Sequence, residues 1–280
     1  MTAQNASERN WENIFPEAVD KQLSGAGKKY RDPKTTDTEP ISVIVSKLSG
    51  MESINAVDAG CGAGRYDMLL YRHLGDRLTL TCLDAKEDTL KNLTTYFNRH
   101  GVRTFSATRS SEGVLPFPDN TVDCMFAFST IQKFKLPCFL QESARVIKDR
   151  SYLFIYTGVR DQLWKENNPF TMDMLKQALE TVDTFSIESV VLFAYNRMAV
   201  MEQMFTRPAN HYYSTFSPLS PEGLEEALKM FSIKIRDEFK DMHSIHWFDD
   251  HVMFIIKKEA KSTNDYLKPP PVFSGPGMVV

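Results

Sequence analysis

Cysteine is scarce in this chain, and its placement excludes the common uses of a thiol. Cys61, Cys82, Cys124 and Cys138 include no close C-x-x-C pair of the kind that holds a metal or works as a redox couple. They are expected as reduced, buried or semi-buried thiols. An excess of one charge is also missing. With 33 Lys and Arg against 36 Asp and Glu, the net charge of −3 offers no general attraction to a nucleic-acid backbone. No apolar run approaches the roughly 20 residues of a membrane span. The opening stretch Met1–Arg9 is polar and lacks the apolar core of a secretory signal. A soluble, cytoplasmic protein with no membrane partner is the expectation, and no internal repeat is visible. What is present is ordinary for a packed protein. With 42% hydrophobic and 25% charged residues, 280 residues suffice for one large domain, or one domain with an inserted cap.

The most informative stretch is Val57-Asp58-Ala59-Gly60-Cys61-Gly62-Ala63-Gly64. It follows the apolar run Ile54–Val57, which reads as a buried strand. It precedes Arg65–Leu74, where Met68, Leu69, Leu70 and Leu74 recur at helical spacing. Strand, glycine turn and helix open a nucleotide-binding α/β unit, because the turn is tight and a ligand approaches a backbone without Cβ atoms. The glycines fall as G-x-G-x-G, and Arg65 stands where a dinucleotide fingerprint has its third glycine, so a pyrophosphate-binding turn is disfavoured. A second strand, Leu78–Leu83, ends in Asp84, twenty residues after Gly64. An acid at that place accepts hydrogen bonds from the two ribose hydroxyls of an adenosine.

These residues resemble the first two motifs of the class I S-adenosylmethionine-dependent methyltransferases, of the small-molecule, methyltransferase type 11-like kind. Leu115-Pro116-Phe117-Pro118-Asp119-Asn120-Thr121-Val122-Asp123 is similar to the family's approach to strand four, and Glu142-Ser143-Ala144-Arg145-Val146-Ile147-Lys148 to its helix before strand five. The resemblance covers roughly residues 50 to 157. It implies S-adenosyl-L-methionine as cofactor, S-adenosyl-L-homocysteine as product, and a Rossmann-like α/β fold. That fold has a seven-stranded sheet, mostly parallel with the last strand antiparallel, and helices on both faces. Two places depart from the family. Ser110-Ser111-Glu112 replaces the usual Gly-Asp-Ala, so the adenine amino group falls to Ser111, Glu112 or backbone. Lys148-Asp149-Arg150 stands where Lys-Pro-Gly usually turns into strand five.

The chain divides accordingly. Residues 1–50 form an N-terminal helical cover, with the stripe Trp11, Ile14, Phe15, Ala18 and Val19 and a helix Ile41–Leu48 leading into strand one. Residues 51–157 form the cofactor-binding core, with a helix Lys86–His100, strand three at Arg103–Ala107, strand four at Val122–Phe128, a helix Pro137–Ile147 and strand five at Tyr152–Thr157. Residues 158–216 read as an inserted cap that shapes the acceptor pocket, helical over Thr171–Val182. Residues 217–260 return to the core sheet: Ser220 and Pro221 start a helix, Ile233 and Ile235 alternate in strand six, and His251–Lys257 supplies strand seven. Residues 261–280, with Pro269-Pro270-Pro271, read as a disordered tail.

Methyl transfer from a sulfonium is an in-line displacement, so the protein mainly holds donor and acceptor aligned. The expected cofactor-binding set is Asp58, Gly60, Cys61, Gly62, Gly64, Asp84, Ala85, Ser111, Glu112, Phe128 and Ser129. Asp58 orients the glycine loop near the cofactor's positive end, or complements the following helix dipole. Phe128 ends strand four over the cofactor, or is a plain core aromatic. Gln132 and Lys133 stand where many small-molecule members carry two histidines near the acceptor. The cluster His211-Tyr212-Tyr213 roofs the acceptor pocket together with Tyr30, with His211 as catalytic base, or else packs aromatics on the core. His243, His246, His251, Asp249 and Asp250 lack metal-ligand spacing and read as surface polar residues, so no metal is expected. The function expected is methylation of an oxygen, nitrogen or carbon of a small molecule. An RNA-modifying methyltransferase and a non-catalytic cofactor-binding subunit are the alternatives. Nucleic acid as a partner is disfavoured by the balanced charge and the lack of a basic arm.

Overall fold

The computed structural model describes residues 38–110, 114–159, 172–202, 220–239 and 241–260. In chain order the elements are α1 (Thr38–Leu48), β1 (Ile54–Ala59), α2 (Arg65–Leu74), β2 (Leu78–Asp84), α3 (Glu87–Arg99), β3 (Phe105–Arg109) and β4 (Val122–Phe128). They continue with α4 (Leu136–Val146), β5 (Ile147–Val159), α5 (Met172–Glu180), β6 (Phe185–Ala199), α6 (Pro221–Glu238) and β7 (Ile245–Lys258). The strands form one seven-stranded sheet in the order β3-β2-β1-β4-β5-β7-β6. Neighbours from β3 to β5 pair parallel, and β7 runs antiparallel to both β5 and β6. The seven-stranded, mostly parallel Rossmann-like architecture expected from the sequence is the one observed.

The alternation of the strands sorts the core into two layers. Val57 and Ala59 of β1 pack with α4 and α5 on one face, while Ala56 points to the opposite face with α1, α2 and α3. Asp58 is in phase with Ala56 and therefore faces α2. Central β4 is buried from Val122 to Phe128 except at Asp123, as a parallel strand covered on both faces must be. Asp123 is held instead: its Oδ2 accepts from the Asn55 N–H at 2.8 Å and its Oδ1 pairs with Lys148 at 2.6 Å.

The two later family motifs meet in a polar knot. The Arg145 guanidinium donates to Glu142 through Nε (2.8 Å) and Nη2 (2.7 Å). It also donates to Asp119 Oδ1 and to the carbonyls of Phe117 and Leu115. Glu142 accepts in addition from the Leu115 N–H at 2.7 Å. A single arginine thus ties the 115–119 segment onto α4, which positions the entry to β4. The bond from Arg145, aided by the Leu115 N–H, holds the Glu142 carboxyl below its ordinary range.

The turn into β5 replaces Lys-Pro-Gly with a different solution. The β4–β5 register shifts between Val122↔Ile147 and Cys124↔Tyr152, and inside this bulge Arg150 adopts φ 65°, a left-handed conformation that favours glycine. Buried Lys258, from the end of β7, fastens the same corner through Asn120 Oδ1 and the Ile147 carbonyl.

Four expectations are corrected. Ile233 and Ile235 do not alternate in a strand: Ser220 caps α6 through the Gly223 N–H, and the helix runs on to Glu238, burying Ile235 and exposing Ile233. The sixth strand is Phe185–Ala199, so this stretch of the supposed 158–216 insert belongs to the sheet, with α5 packed on α4. Strand three begins two residues late, at Phe105, because Val102 and Thr104 close the preceding helix and receive Tyr71. Cys138 is exposed on α4, whose inner face is taken by Leu136, Phe139 and Leu140. The segments read as the Trp11–Val19 stripe and the tail 261–280 lie outside the described residues.

Beyond the end of β5, where Val159 pairs with Asp250, residues 195–199 of β6 keep pairing with 245–249 of β7. This two-stranded arm runs on past the carboxyl end of β5 by roughly 17 Å.

Two outcomes follow for stability. Arg150→Gly is expected to raise it by about 0.5–1 kcal/mol, relief of left-handed strain less the added entropy of the unfolded chain, read as a higher urea midpoint. Arg145→Ala is expected to cost about 2–3 kcal/mol, since it leaves Glu142 and two carbonyls without their donor. The Glu142 contribution is present above the ordinary glutamate range and fades as pH falls through its lowered folded value. That acid-limb loss should be reduced in Arg145→Ala, where only the Leu115 N–H still favours the Glu142 carboxylate, in urea titrations run from neutral to acid pH.

Candidate active site

The site is built at the carboxyl ends of β1, β2 and β4. The N–H groups of Gly60 and Cys61 both donate to the Leu83 carbonyl, at 2.8 and 3.0 Å, which folds the glycine turn back over the end of β2. The Asp84 carboxylate then meets the turn: Oδ2 accepts from the Gly62 N–H at 3.2 Å, and Oδ1 from the Lys86 N–H at 2.9 Å. Both oxygens are thereby oriented, and the half-buried carboxylate keeps lone pairs for a ligand diol.

The turn's glycines answer two demands. Gly60 has φ 80°, and a Cβ there would overlap Thr130 Oγ1 in the loop after β4. Gly62, at φ 55°, has nothing within 4 Å of where a Cβ would stand, so its outer side is open to a ligand.

Asp58 sits deeper than the sequence suggested, at 1% exposure, and lies beside Asp67 of α2, at 0%, across from its register partner Cys82. Burial first, then the charge of Asp67, pushes the Asp58 carboxyl well above the carboxylate range. Burial raises Asp67 to about 7, opposed by hydrogen bonds from Asp58 and Cys82. Asp58 Oδ1, Asp67 Oδ1 and Thr130 Oγ1 are buried without a hydrogen-bond partner. Buried polar atoms in that condition mark a place where a bound group is expected.

Phe128 is a core aromatic, stacked on Tyr66 at 4.8 Å and on Phe126 at 5.5 Å, so Tyr66 covers one face of it. Ser129 is exposed at φ 52°, with its N–H on the Tyr156 carbonyl at 2.7 Å. Non-glycine strain of this kind concentrates at functional sites. Ala85 is exposed beside Asp84, its carbonyl taken by Arg109 Nε at 3.2 Å. Gln132 donates to the Ser129 carbonyl at 3.0 Å, and Lys133 is exposed.

The structure therefore gathers Asp58, Gly60, Cys61, Gly62, Gly64, Asp84, Ala85, Phe128, Ser129 and Gln132 at one sheet edge. Tyr30, Ser111, Glu112, His211, Tyr212 and Tyr213 lie outside the described residues. Asp67 and Thr130 were missed. Asp67 was legible as a lone acid flanked by the apolar residues of α2, whereas Thr130 carries no sequence signal. His251 and Asp250 are not surface residues: both are half-buried, and the His251 ring stacks on Tyr156 at 5.0 Å. Among the described residues no group of His, Cys, Asp and Glu is arranged to hold a metal, and no helix is long and apolar enough to cross a membrane. A separate open cleft of about 540 Å³ between α3 and the β3 edge is lined by Leu90, Lys91, Thr94 and Arg109. It includes neither the glycine turn nor Asp84.

An adenosine bearing a charged amino-acid tail fits this arrangement: a diol acceptor at Asp84, an open glycine at 62, and orphaned acceptors at Asp58 and Asp67. Residues 57–155 match the model of a methyltransferase domain. Among solved structures, the chain is similar to a SAM-dependent methyltransferase from Aquifex aeolicus, 25% identical over 57% of this chain and 87% of that one, with a TM-score of 0.49. It is similar to the (4+2)-cyclase SpnF, 13% identical over 90% and 95% of the two chains (TM-score 0.60). A geranyl diphosphate methyltransferase in complex with SAM is 14% identical over 86% and 90% (TM-score 0.53). At such identities the last two likenesses are of fold, and one of them belongs to a cyclase, so the fold does not by itself decide the reaction. Among curated proteins none matches the chain significantly.

The glycine geometry makes a graded expectation. Gly62→Ala should cost about 1–2 kcal/mol, the left-handed strain alone. Gly60→Ala must also displace Thr130, so its urea midpoint should fall further.

Proposed function

From the premise that residues 57–155 form a class I S-adenosylmethionine-dependent methyltransferase domain, we propose that the chain methylates an oxygen, nitrogen or carbon of a small organic molecule. S-adenosylmethionine is the cofactor, and it supplies an electrophilic methyl group on a sulfonium. The reading rests above all on Asp84, whose two oxygens are each oriented by a backbone N–H at the mouth of the glycine turn. In this reading Asp84 accepts from both ribose hydroxyls, and Gly62 lets the tail pass close to the backbone. Tyr66 over Phe128 flanks the methionine portion.

The chain's own contribution to rate is alignment and exclusion of water. Segments 160–171 and 203–219 follow β5 and β6, and both of those strands end at the same edge as the glycine turn. We assign the acceptor pocket to these segments, with Tyr30, Gln132, Lys133, Tyr212 and Tyr213 against the acceptor and His211 as base where the acceptor loses a proton. The adenine amino group falls to Ser111, Glu112 or backbone. A small acceptor is favoured over RNA by the balanced charge. The geranyl diphosphate methyltransferase among the similar folds acts on a small molecule, in keeping with this choice.

Asp84→Ala is expected to weaken S-adenosylhomocysteine at least about tenfold, since each charge-assisted bond is worth about 1.5–3 kcal/mol, with a much smaller change in the urea midpoint. Calorimetry with S-adenosylhomocysteine and NAD on both proteins measures this, and tighter binding of NAD by the natural chain would overturn the cofactor assignment. Transfer of labelled methyl into a small-molecule extract, with none into total RNA, is the expected acceptor result.

A further inference from the structure

Asp58 of β1 and Cys82 of β2 are register partners, and Cys82 Sγ reaches Asp67 Oδ2, so the two carboxyls meet in a place almost without solvent. Two carboxyls buried side by side with no cation do not both ionise, so the pair retains a proton. The groups facing it do not relieve the charge. Cys61 lies in the glycine turn, Cys82 of β2 stands 3.9 Å from Asp67 Oδ2, and Asp84 closes β2; none is a cation. Tyr71, one turn further along α2, spends its hydroxyl on the Thr104 carbonyl. From the β4 side the buried, unpartnered hydroxyl of Thr130 is turned onto Gly60, two residues from Asp58. An acceptor-rich pocket that retains a proton for want of a cation is suited to a primary ammonium.

We infer that the Asp58–Asp67 pair gives up its shared proton to solvent when the ammonium end of the cofactor binds at the glycine turn, so that Asp67 is a positioning residue and binding is coupled to proton release. The inference rests on the proposed cofactor site and adds to it. The balance is simple: one proton passes from the pair to buffer, the ligand keeps its own ammonium proton, and no bond to the ligand forms or breaks. Affinity for an ammonium-bearing ligand therefore falls as pH drops through the range in which the pair takes up its proton, by at most about tenfold per pH unit.

The test is calorimetry of the full chain at about pH 6.5 in buffers of different ionisation enthalpy, which counts protons released on binding. S-adenosylhomocysteine should release close to one proton. Methylthioadenosine, which has the same adenosine and no amino-acid tail, should release none. Asp67→Asn gives Asp58 an N–H donor in place of the shared proton, so it should bind S-adenosylhomocysteine with no release. Binding without release in the natural chain, equal release with methylthioadenosine, or undiminished release from Asp67→Asn each overturns the inference. If Asp67→Asn does not fold, the two ligands compared on the natural chain decide. Absence of any binding heat for S-adenosylhomocysteine would instead overturn the cofactor site itself.

Discussion

Two neighbouring N–H groups, those of Gly60 and Cys61, donate to one carbonyl at the end of β2, and the site depends on that bond pair. The chain leaves β1 at Ala59 and must reverse within a few residues to start α2. By closing on Leu83 rather than on its own strand, the turn brings its third residue under Asp84. The acid is thereby oriented by the loop it serves, and the ligand edge of β1 and β2 becomes one unit. Parallel pairing makes this possible, because β1, β2 and β4 all end at the same edge.

The same edge carries a polar load that a stability argument alone would not explain. Asp58 replaces an apolar residue on the layer that Ala56 shares with α2 and α3, and Asp67 faces it from an otherwise apolar helix surface. Burying two carboxyls costs several kcal/mol unless a proton or a cation compensates. Two other charges among the described residues, buried Lys258 and half-buried Arg145, are fully engaged. Lys258 contacts a side-chain amide and a carbonyl, and Arg145 fills its guanidinium with two acids and two carbonyls. The contrast between these satisfied networks and the orphaned atoms near Gly60 sets apart what holds the fold from the site proposed for a ligand.

The Arg145 knot also gives a physical meaning to motifs recognised by resemblance. Leu-Pro-Phe-Pro-Asp and Glu-Ser-Ala-Arg lie far apart in the chain, yet one supplies the carbonyls and the other the guanidinium that binds them. They are scaffold motifs, which tie the approach to β4 onto α4. Where the usual Gly of the turn into β5 is missing, the backbone keeps its left-handed conformation and Arg150 bears the strain.

The sequence by itself determined the local units: the helix Arg65–Leu74 and the strand Val122–Phe128 were read to the residue, as were the glycine turn, Asp84 and the Ser220–Pro221 helix start. Each is written in nearest-neighbour chemistry, in apolar periodicity, a cap, or glycines in a short turn. Only the tertiary structure decided the sixth strand, which hides in an apolar stretch whose partner, β7, comes some 50 residues later, after an intervening helix. Ile233 and Ile235 mislead for the same reason, since a two-residue alternation says nothing until the cap upstream is followed through its full 18-residue helix. The meeting of Asp58 with Asp67, and of Thr130 with Gly60, was equally beyond the sequence. Those contacts join residues on different elements, and their consequence, a proton retained in a dry pocket, arises from burial that only the packed layers create.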